Sequence, residues 1–592
     1  MKQFFKFVFA SFVGMLLFSI ITVLFGVITI TGMIASSQST KEPSENSILI
    51  LDLSGQLSER AEDNIINQIQ GTDKGSIGLD NILTAIKNAK ENDHVKGIYI
   101  EAGAFSADSY ASLQAMHNAL IDFKKSKKWI IAYGDTYTQG TYYLASAANK
   151  VYLNPQGQID WRGLASQPIY IKDLLAKFGV KMQVVKVGAY KSATEMFTGD
   201  KMSEANREQT TAYLNSIWQN ITNDVSKSRN IPAGKLNQYA DSMMTLAPQE
   251  DYLKTKMVDG LLYTDQVKQL IKKELGIENS EDISQVTVAD LQDSNEKEGN
   301  KDNQIAIYYA YGDIVDGTVE GLFSQNHTID AQKVCKDLEK LSDDKKIKAV
   351  VIRINSGGGS AYASEQIWHQ VTELKAKKPV VISMGDYAAS GAYYLSCNAN
   401  WIIAQPTTLT GSIGIFGVIP DFSGLVNGKL GVKFDEIQTN KNSSFGNVFA
   451  RPLNQDEVKY LTAKIQRGYS LFRKRVADGR RLTIDQVEEI AQGHVWLGSD
   501  ALKIHLVDQL GGLNEAVAKA AQLAKLSNYS TNNYPAKASW FDMFKEEGGR
   551  NSYIDEQLRL TLGDLYEPLA MVRVAKQRQM MQAQLPYVLN IK

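Results

Sequence analysis

Cysteine is nearly absent. Only Cys335 and Cys397 occur among 592 residues, which excludes a disulfide-dense scaffold and leaves no CxxC or Cys/His cluster to hold zinc. A single bridge between the two stays open beside the plainer reading of two buried thiols that pack as small apolar groups. Histidine is also sparse: His94, His117, His327, His369, His494 and His505 lack ligand spacing, so no metal site is legible. An excess of charge is missing too. With 64 Lys and Arg against 65 Asp and Glu the net charge is −1, and a chain without a broad positive field is not built to hold nucleic acid.

What is present is length, one long apolar run and a repeat. At about 150 residues per domain the chain predicts three to four units. From Phe7 to Ala35 no charged residue occurs. About 20 apolar residues span a bilayer, whereas the apolar core of a cleaved signal peptide has only about 7 to 15, so the run reads as an uncleaved signal anchor. Lys2 and Lys6 precede it, which by the positive-inside tendency puts the N-terminus in the cytoplasm and the body outside.

Beyond the anchor one pattern is written twice. Val95-Lys96-Gly97-Ile98-Tyr99-Ile100 matches Ile347-Lys348-Ala349-Val350-Val351-Ile352, and Tyr110-Ala111-Ser112 matches Tyr362-Ala363-Ser364. Trp129 to Asp135 pairs with Val380 to Asp386, Lys150 to Pro155 with Trp401 to Pro406, and Val258-Asp259-Gly260-Leu261 with Val507-Asp508-Gln509-Leu510. Each copy alternates short β-branched runs with helix-length amphipathic segments, the signature of β-α units around buried strands. The expected division is an N-terminal stub, anchor and linker over 1–46, a first repeat over 47–277 and a polar linker over 278–303. A second repeat over 304–525 and a tail with helical spacing over 526–592 follow.

The copies differ where chemistry would sit. The second has Ala388-Ala389-Ser390-Gly391-Ala392-Tyr393-Tyr394-Leu395, while the first has Gln139 at the position of Ser390. A serine between a strand and a helix has backbone N–H groups at hand to stabilise negative charge, and it also suits a helix cap; local sequence leaves both open. Asn355-Ser356-Gly357-Gly358-Gly359-Ser360 ends a strand, and its glycines admit conformations that side chains forbid. Such a loop aims an N–H at a carbonyl oxygen or makes a plain tight turn. A phosphate cradle would need the Lys-Ser/Thr that is missing. The paired loop Gly103-Ala104-Phe105-Ser106-Ala107-Asp108 has lost these consecutive glycines together with the serine, which favours the catalytic reading.

A serine nucleophile needs a base. His369 is the one histidine near it in sequence, placed on a helix where a solvated ring is expected. Lysine is the established alternative when burial lowers its pKa. Lys191, in Val187-Gly188-Ala189-Tyr190-Lys191-Ser192-Ala193, is the choice because small neighbours suit a crowded cleft; Lys441 is its rival at nearly the equivalent place in the second copy.

Together with Thr410-Gly411-Ser412-Ile413-Gly414-Ile415-Phe416-Gly417, these motifs resemble the long, duplicated form of the signal peptide peptidase A (protease IV) family over roughly residues 1–525. The resemblance implies an α/β fold of two tandem Clp protease/crotonase-like repeats behind one transmembrane helix. It also implies a serine endopeptidase with a Ser/Lys dyad and no cofactor. By motif, Ser390 matches the nucleophile, Lys191 the general base and Ser412 the serine that orients the lysine, while Gly358 and Gly391 would form the oxyanion hole. The family further implies a homotetramer on the periplasmic face of the bacterial inner membrane, acting on signal peptide remnants. Two other classes stay open: a crotonase-like acyl-CoA enzyme, and an inactive membrane scaffold.

Overall fold

The computed structural model describes residues 42–60, 77–291, 299–317, 327–536 and 581–584, with scattered helical residues between 6 and 25. The expected anchor at 7–35 falls largely outside the described residues, and among the described residues no helix is long and apolar enough to cross a membrane.

The fold is mixed α/β and duplicated. In the first repeat the parallel strands Ser47–Ser58, Val95–Ser106, Trp129–Tyr137, Lys150–Ile159 and Gly260–Leu261 lie side by side in that order. In the second, Gln304–Tyr311, Ile347–Ser356, Val380–Ala389, Trp401–Ala404 and Gln509–Leu510 repeat it. Ile347–Ser356 is apolar at nearly every position of its first half and almost wholly buried, as expected of a parallel strand covered on both faces by helices. Each buried Ile, Leu or Val there contributes about 1.5–3 kcal/mol.

The same polar fixtures hold both copies. Ser109 caps the helix Tyr110–Phe123 and Ser360 caps Ala361–Lys377. Asn149 Oδ1 accepts from Ile130 N, and Asn400 Oδ1 from Val380 N. Tyr142 donates to the Met257 carbonyl and Tyr393 to that of Leu506, each at 2.9 Å. A buried hydroxyl without a partner is costly, so these bonds lock each helix to its own sheet at matching places.

Two segments outside the expected repeats extend the sheets of the repeats themselves. Gln285–Val286, in the expected linker, pairs with the strand Ser47–Ser58, and Ser530–Tyr534, in the expected tail, pairs with Gln304–Tyr311. A third sheet joins the copies. Lys181–Val187 of the first repeat lies antiparallel to Ile415–Asp421 of the second, in register from Ile415 opposite Val187 to Asp421 opposite Lys181.

The repeats are also fastened by buried polar contacts. Glu59 Oε1 accepts from Arg353 Nε at 2.6 Å, with both side chains almost fully buried, and Glu59 Oε2 accepts from Asn355 Nδ2 at 3.1 Å. Ser112 donates its backbone N–H and its hydroxyl to the two oxygens of Asp386 at 2.7 and 2.9 Å.

Candidate active site

Ser390 follows the last residue of the strand Val380–Ala389 and opens the short helix Gly391–Ser396. Its φ of +55° is one that a residue with a side chain adopts at a cost of about 1–3 kcal/mol. Two bonds hold it there: Ser390 N donates to the Gly411 carbonyl at 2.7 Å, and Tyr394 N donates to the Ser390 carbonyl at 2.8 Å.

The shared antiparallel pairing delivers Lys191. Past Val187 the chain turns at Gly188, whose φ is +106° and where a Cβ would lie 2.4 Å from the backbone of Gln492. Tyr190 N then donates to the Gln492 carbonyl at 2.9 Å. Lys191 Nζ ends 2.7 Å from Ser390 Oγ, 3.0 Å from Ser412 Oγ and 3.1 Å from the Ser412 carbonyl. Lys191, Ser390 and Ser412 are each fully buried.

Burial pushes the Lys191 amine well below its ordinary value, because a charged ammonium loses its hydration and, among the described residues, no carboxylate stands by to offset that loss. A neutral amine has two N–H donors and one lone pair. The two oxygens of Ser412 accept the donors, which leaves the lone pair for the Ser390 hydroxyl. Among the described residues Lys191 is the one side chain hydrogen-bonded to Ser390 Oγ.

The other sequence candidates lie elsewhere. Lys441 is exposed and paired with Asp456, remote in character from a desolvated base. His369 is exposed on the helix Ala361–Lys377. Cys335 and Cys397 are free thiols; burial raises the Cys397 thiol to about 12.

Gly391 abuts the groove beside Ser390. A Cβ on it would meet Ser364 Oγ at 2.6 Å and the Ala583 carbonyl oxygen at 2.9 Å. Gly358, expected as the second oxyanion donor, instead gives its N–H to Ser356 Oγ at 3.1 Å. Its neighbour faces the groove: Gly359 pairs with Ala583, and Ala361 N donates to the Met581 carbonyl two residues along. The alternation of an antiparallel ladder therefore aims the Gly359 amide at the Ala583 oxygen.

In the first repeat Gln139 plugs the equivalent place. Its Oε1 accepts from Arg162 N and Gly163 N at 3.1 and 3.0 Å, and its Nε2 donates to Tyr110 Oη and the Gly163 carbonyl. Trp161 stands where the second repeat has Ser412, its indole N–H donated to the Leu236 carbonyl at 2.9 Å.

Three supporting residues escaped the sequence reading. Gly493, at φ +80°, approaches Lys191 so closely that a Cβ would lie 2.7 Å from the lysine N. Gln209 Nε2 donates to the Tyr190 carbonyl and Ser192 Oγ, both at 3.1 Å, while its Oε1 accepts from Val495 N at 3.1 Å. Glu59 holds Asn355, whose Oδ1 accepts from Tyr387 N at 3.1 Å, three residues before Ser390. Only Gly493 carried a local signal, as an isolated glycine between two polar residues.

The sequence matches the profile of peptidase family S49 over residues 122–278 and 372–527, and that of Clp protease over 303–408. It is 35% identical to Protease 4 of Salmonella typhi, over 85% of this chain and 83% of that protein. It is also 35% identical to Protease 4 of Haemophilus influenzae, over 82% and 80%. The Serine protease SPPA, chloroplastic, of Arabidopsis thaliana is 31% identical, over 81% of this chain and 70% of its own length. A buried serine at a strained strand end and these matches agree: the chain belongs to peptidase family S49 and is a serine peptidase.

Proposed function

We propose that the protein is a membrane-anchored endopeptidase in which Lys191 and Ser390 form a Ser/Lys dyad divided between the repeats. The observation that carries this is the 2.7 Å approach of a fully buried Lys191 Nζ to Ser390 Oγ. Neutral Lys191, oriented by Ser412, takes the Ser390 proton as Oγ attacks the carbonyl of an extended peptide. The amides of Gly391 and Gly359 hold the oxyanion, each contributing about 3 kcal/mol by analogy with measured oxyanion donors. Lys191 then protonates the leaving amine and deprotonates the water that releases the acyl group. No metal or organic group enters the cycle.

The substrate class is the cleaved signal peptide. A relative in Enterococcus faecium, 30% identical over 41% of this chain, is named a putative signal peptide peptidase SppA. The uncharged run from Phe7 to Ala35 supports an anchor in the bacterial inner membrane with the catalytic body on the periplasmic side. Leu430, Val432, Phe434 and Ile437 are exposed, apolar surface that suits burial in a homotetramer.

Labelling with a serine-reactive phosphonate, read by mass spectrometry on wild type and Ser390→Ala, tests the nucleophile. Modification of wild type alone is expected. Equal labelling of both proteins, or of neither, rejects it.

A further inference from the structure

Lys191 and Ser412 are both held by one short stretch of backbone. Gly493 lies against Lys191, and its own N–H is donated to the Ile413 carbonyl at 2.8 Å. The next residue, His494, accepts Ser412 N on its carbonyl oxygen at 2.7 Å, and Ser412 sits there at a φ of +49°. The pair Gly493-His494 therefore fixes the base and the serine that orients it. Gly493 has no side chain with which to anchor itself, and a glycine backbone is the least constrained of all. The anchor has to come from its neighbours.

His494 supplies one. Its ring stacks on that of Trp496, with centroids 3.9 Å apart and 24° between the planes, and also meets the Tyr190 ring at 4.4 Å and 57°. Such ring pairs attract beyond the area they bury. Both partners are fixed in turn: the Trp496 indole N–H is donated to the Ile490 carbonyl at 2.9 Å, and the Tyr190 hydroxyl to Glu208 Oε2 at 3.2 Å. His494 Nδ1 is buried and has no hydrogen-bond partner among the described residues, so the ring acts through its faces. Tyr190 directly precedes Lys191 and His494 directly follows Gly493. The ring contact thus repeats, one residue along, the backbone contact between Lys191 and Gly493.

We infer that His494 is a positioning residue of this peptidase: its ring, packed on Tyr190 and Trp496, keeps Lys191 and Ser412 in place against Ser390. This rests on the dyad proposed above. The ring acts on the base through its neighbours and gives the peptide no hydrogen bond, so its loss falls on kcat and spares KM. A misplacement of about 1 Å in a reacting group can cost about a hundredfold in rate, and a loosened turn at Gly493 displaces the lysine without unfolding the sheets.

Steady-state hydrolysis of a quenched-fluorescent peptide by the full-length protein tests this, with wild type, His494→Ala, His494→Gln, His494→Phe and Lys191→Ala measured side by side and folding checked by circular dichroism. His494→Ala and His494→Gln are expected to lower kcat at least tenfold at an unchanged KM. His494→Phe, which keeps a ring and discards both nitrogens, is expected to restore most of that rate. Where alanine lowers stability, glutamine, closer in size and polarity, carries the same expectation. A full kcat in folded His494→Ala or His494→Gln overturns the inference, and so does a loss expressed in KM alone. Equal losses in His494→Phe and His494→Ala overturn it too, because the ring faces then do not matter. If these histidine variants keep their activity while Lys191→Ala loses it, the dyad stands and the inference alone falls; if Lys191→Ala keeps wild-type activity, both fall together.

Discussion

Gly493 rests against the backbone of Lys191: a Cβ added to it would lie 2.7 Å from the lysine N and 2.8 Å from its Cα. With a φ of +80° as well, Gly493→Ala must either strain its own backbone or push the base away from Ser390. Strain of this kind costs about 1–3 kcal/mol. The expected result is a kcat lowered at least tenfold with the fold retained by circular dichroism; an unchanged kcat would show that the contact does not position the lysine.

The choice of base separates two lysines. Lys191→Ala is expected to lower kcat/KM by about a thousandfold or more, the scale on which dyad and triad members act. Lys191→Arg should fail equally, since a guanidinium stays charged. Lys441→Ala should keep wild-type activity because Lys441 faces solvent. The reverse outcome for the two alanine variants, or robust peptide hydrolysis by residues 304–525 alone, would refute a site shared between the repeats.

The pH profile follows from the buried amine. The base works only when neutral, so activity rises with pH through the folded-state pKa of Lys191, which burial holds well below 10.5. The same shift bears on stability: above that pKa the unfolded chain binds the extra proton, so stability rises with pH up to the ordinary lysine range. An ascending limb of kcat/KM positioned near 10.5 would contradict the desolvated lysine.

Asp386 titrates in the opposite sense. Burial first and Glu59 second raise its carboxyl from 3.8 to about 7, outweighing the two bonds from Ser112. A carboxyl raised on folding stabilises most when protonated, so its contribution fades as pH climbs from about 4 to about 7. The full swing is roughly 4 kcal/mol at 1.36 kcal/mol per unit. Urea denaturation across that range should lose this slope in Asp386→Asn; an identical slope would assign the dependence elsewhere.

Glu59→Ala leaves Arg353 charged and unpaired in the interior, an expected loss of 3–5 kcal/mol in urea unfolding. Asp456→Ala, which breaks the exposed pair with Lys441, should cost less than about 1 kcal/mol. Similar losses for the two variants would mean that the Glu59 pair is not the fastening between repeats described above.

The β-α units and their duplication were legible because buried parallel strands write continuous apolar runs, as in Ile347 to Ile352, and because the helix starts Tyr110-Ala111-Ser112 and Tyr362-Ala363-Ser364 recur at matching places. Ser390, Lys191 and Ser412 each sit in a short motif, so each was visible alone. Their meeting was not, since it depends on Lys181–Val187 crossing into a sheet with Ile415–Asp421. Gln209 and Glu59 act across hundreds of positions and leave no local period. Gly359 was passed over for Gly358 because three successive glycines look alike until Ser356 claims one amide. Strand formation at Gln582–Gln584 was hidden because that region has helical spacing and its pairing partners are distant in sequence.

The crossing strand also sets a clock on the enzyme. Contacts between residues far apart in sequence form late, after the loop between them has closed. Lys191 cannot be seated until Gly493 and the carbonyl of Gln492 have arrived behind it. A chain still emerging from the ribosome, with only its first repeat and half of its second made, holds Lys191 and Ser390 but not yet the Gln492 and Gly493 backbone that seats the lysine. With the proposed dyad, proteolytic competence therefore waits until the chain has been made and folded past Gly493.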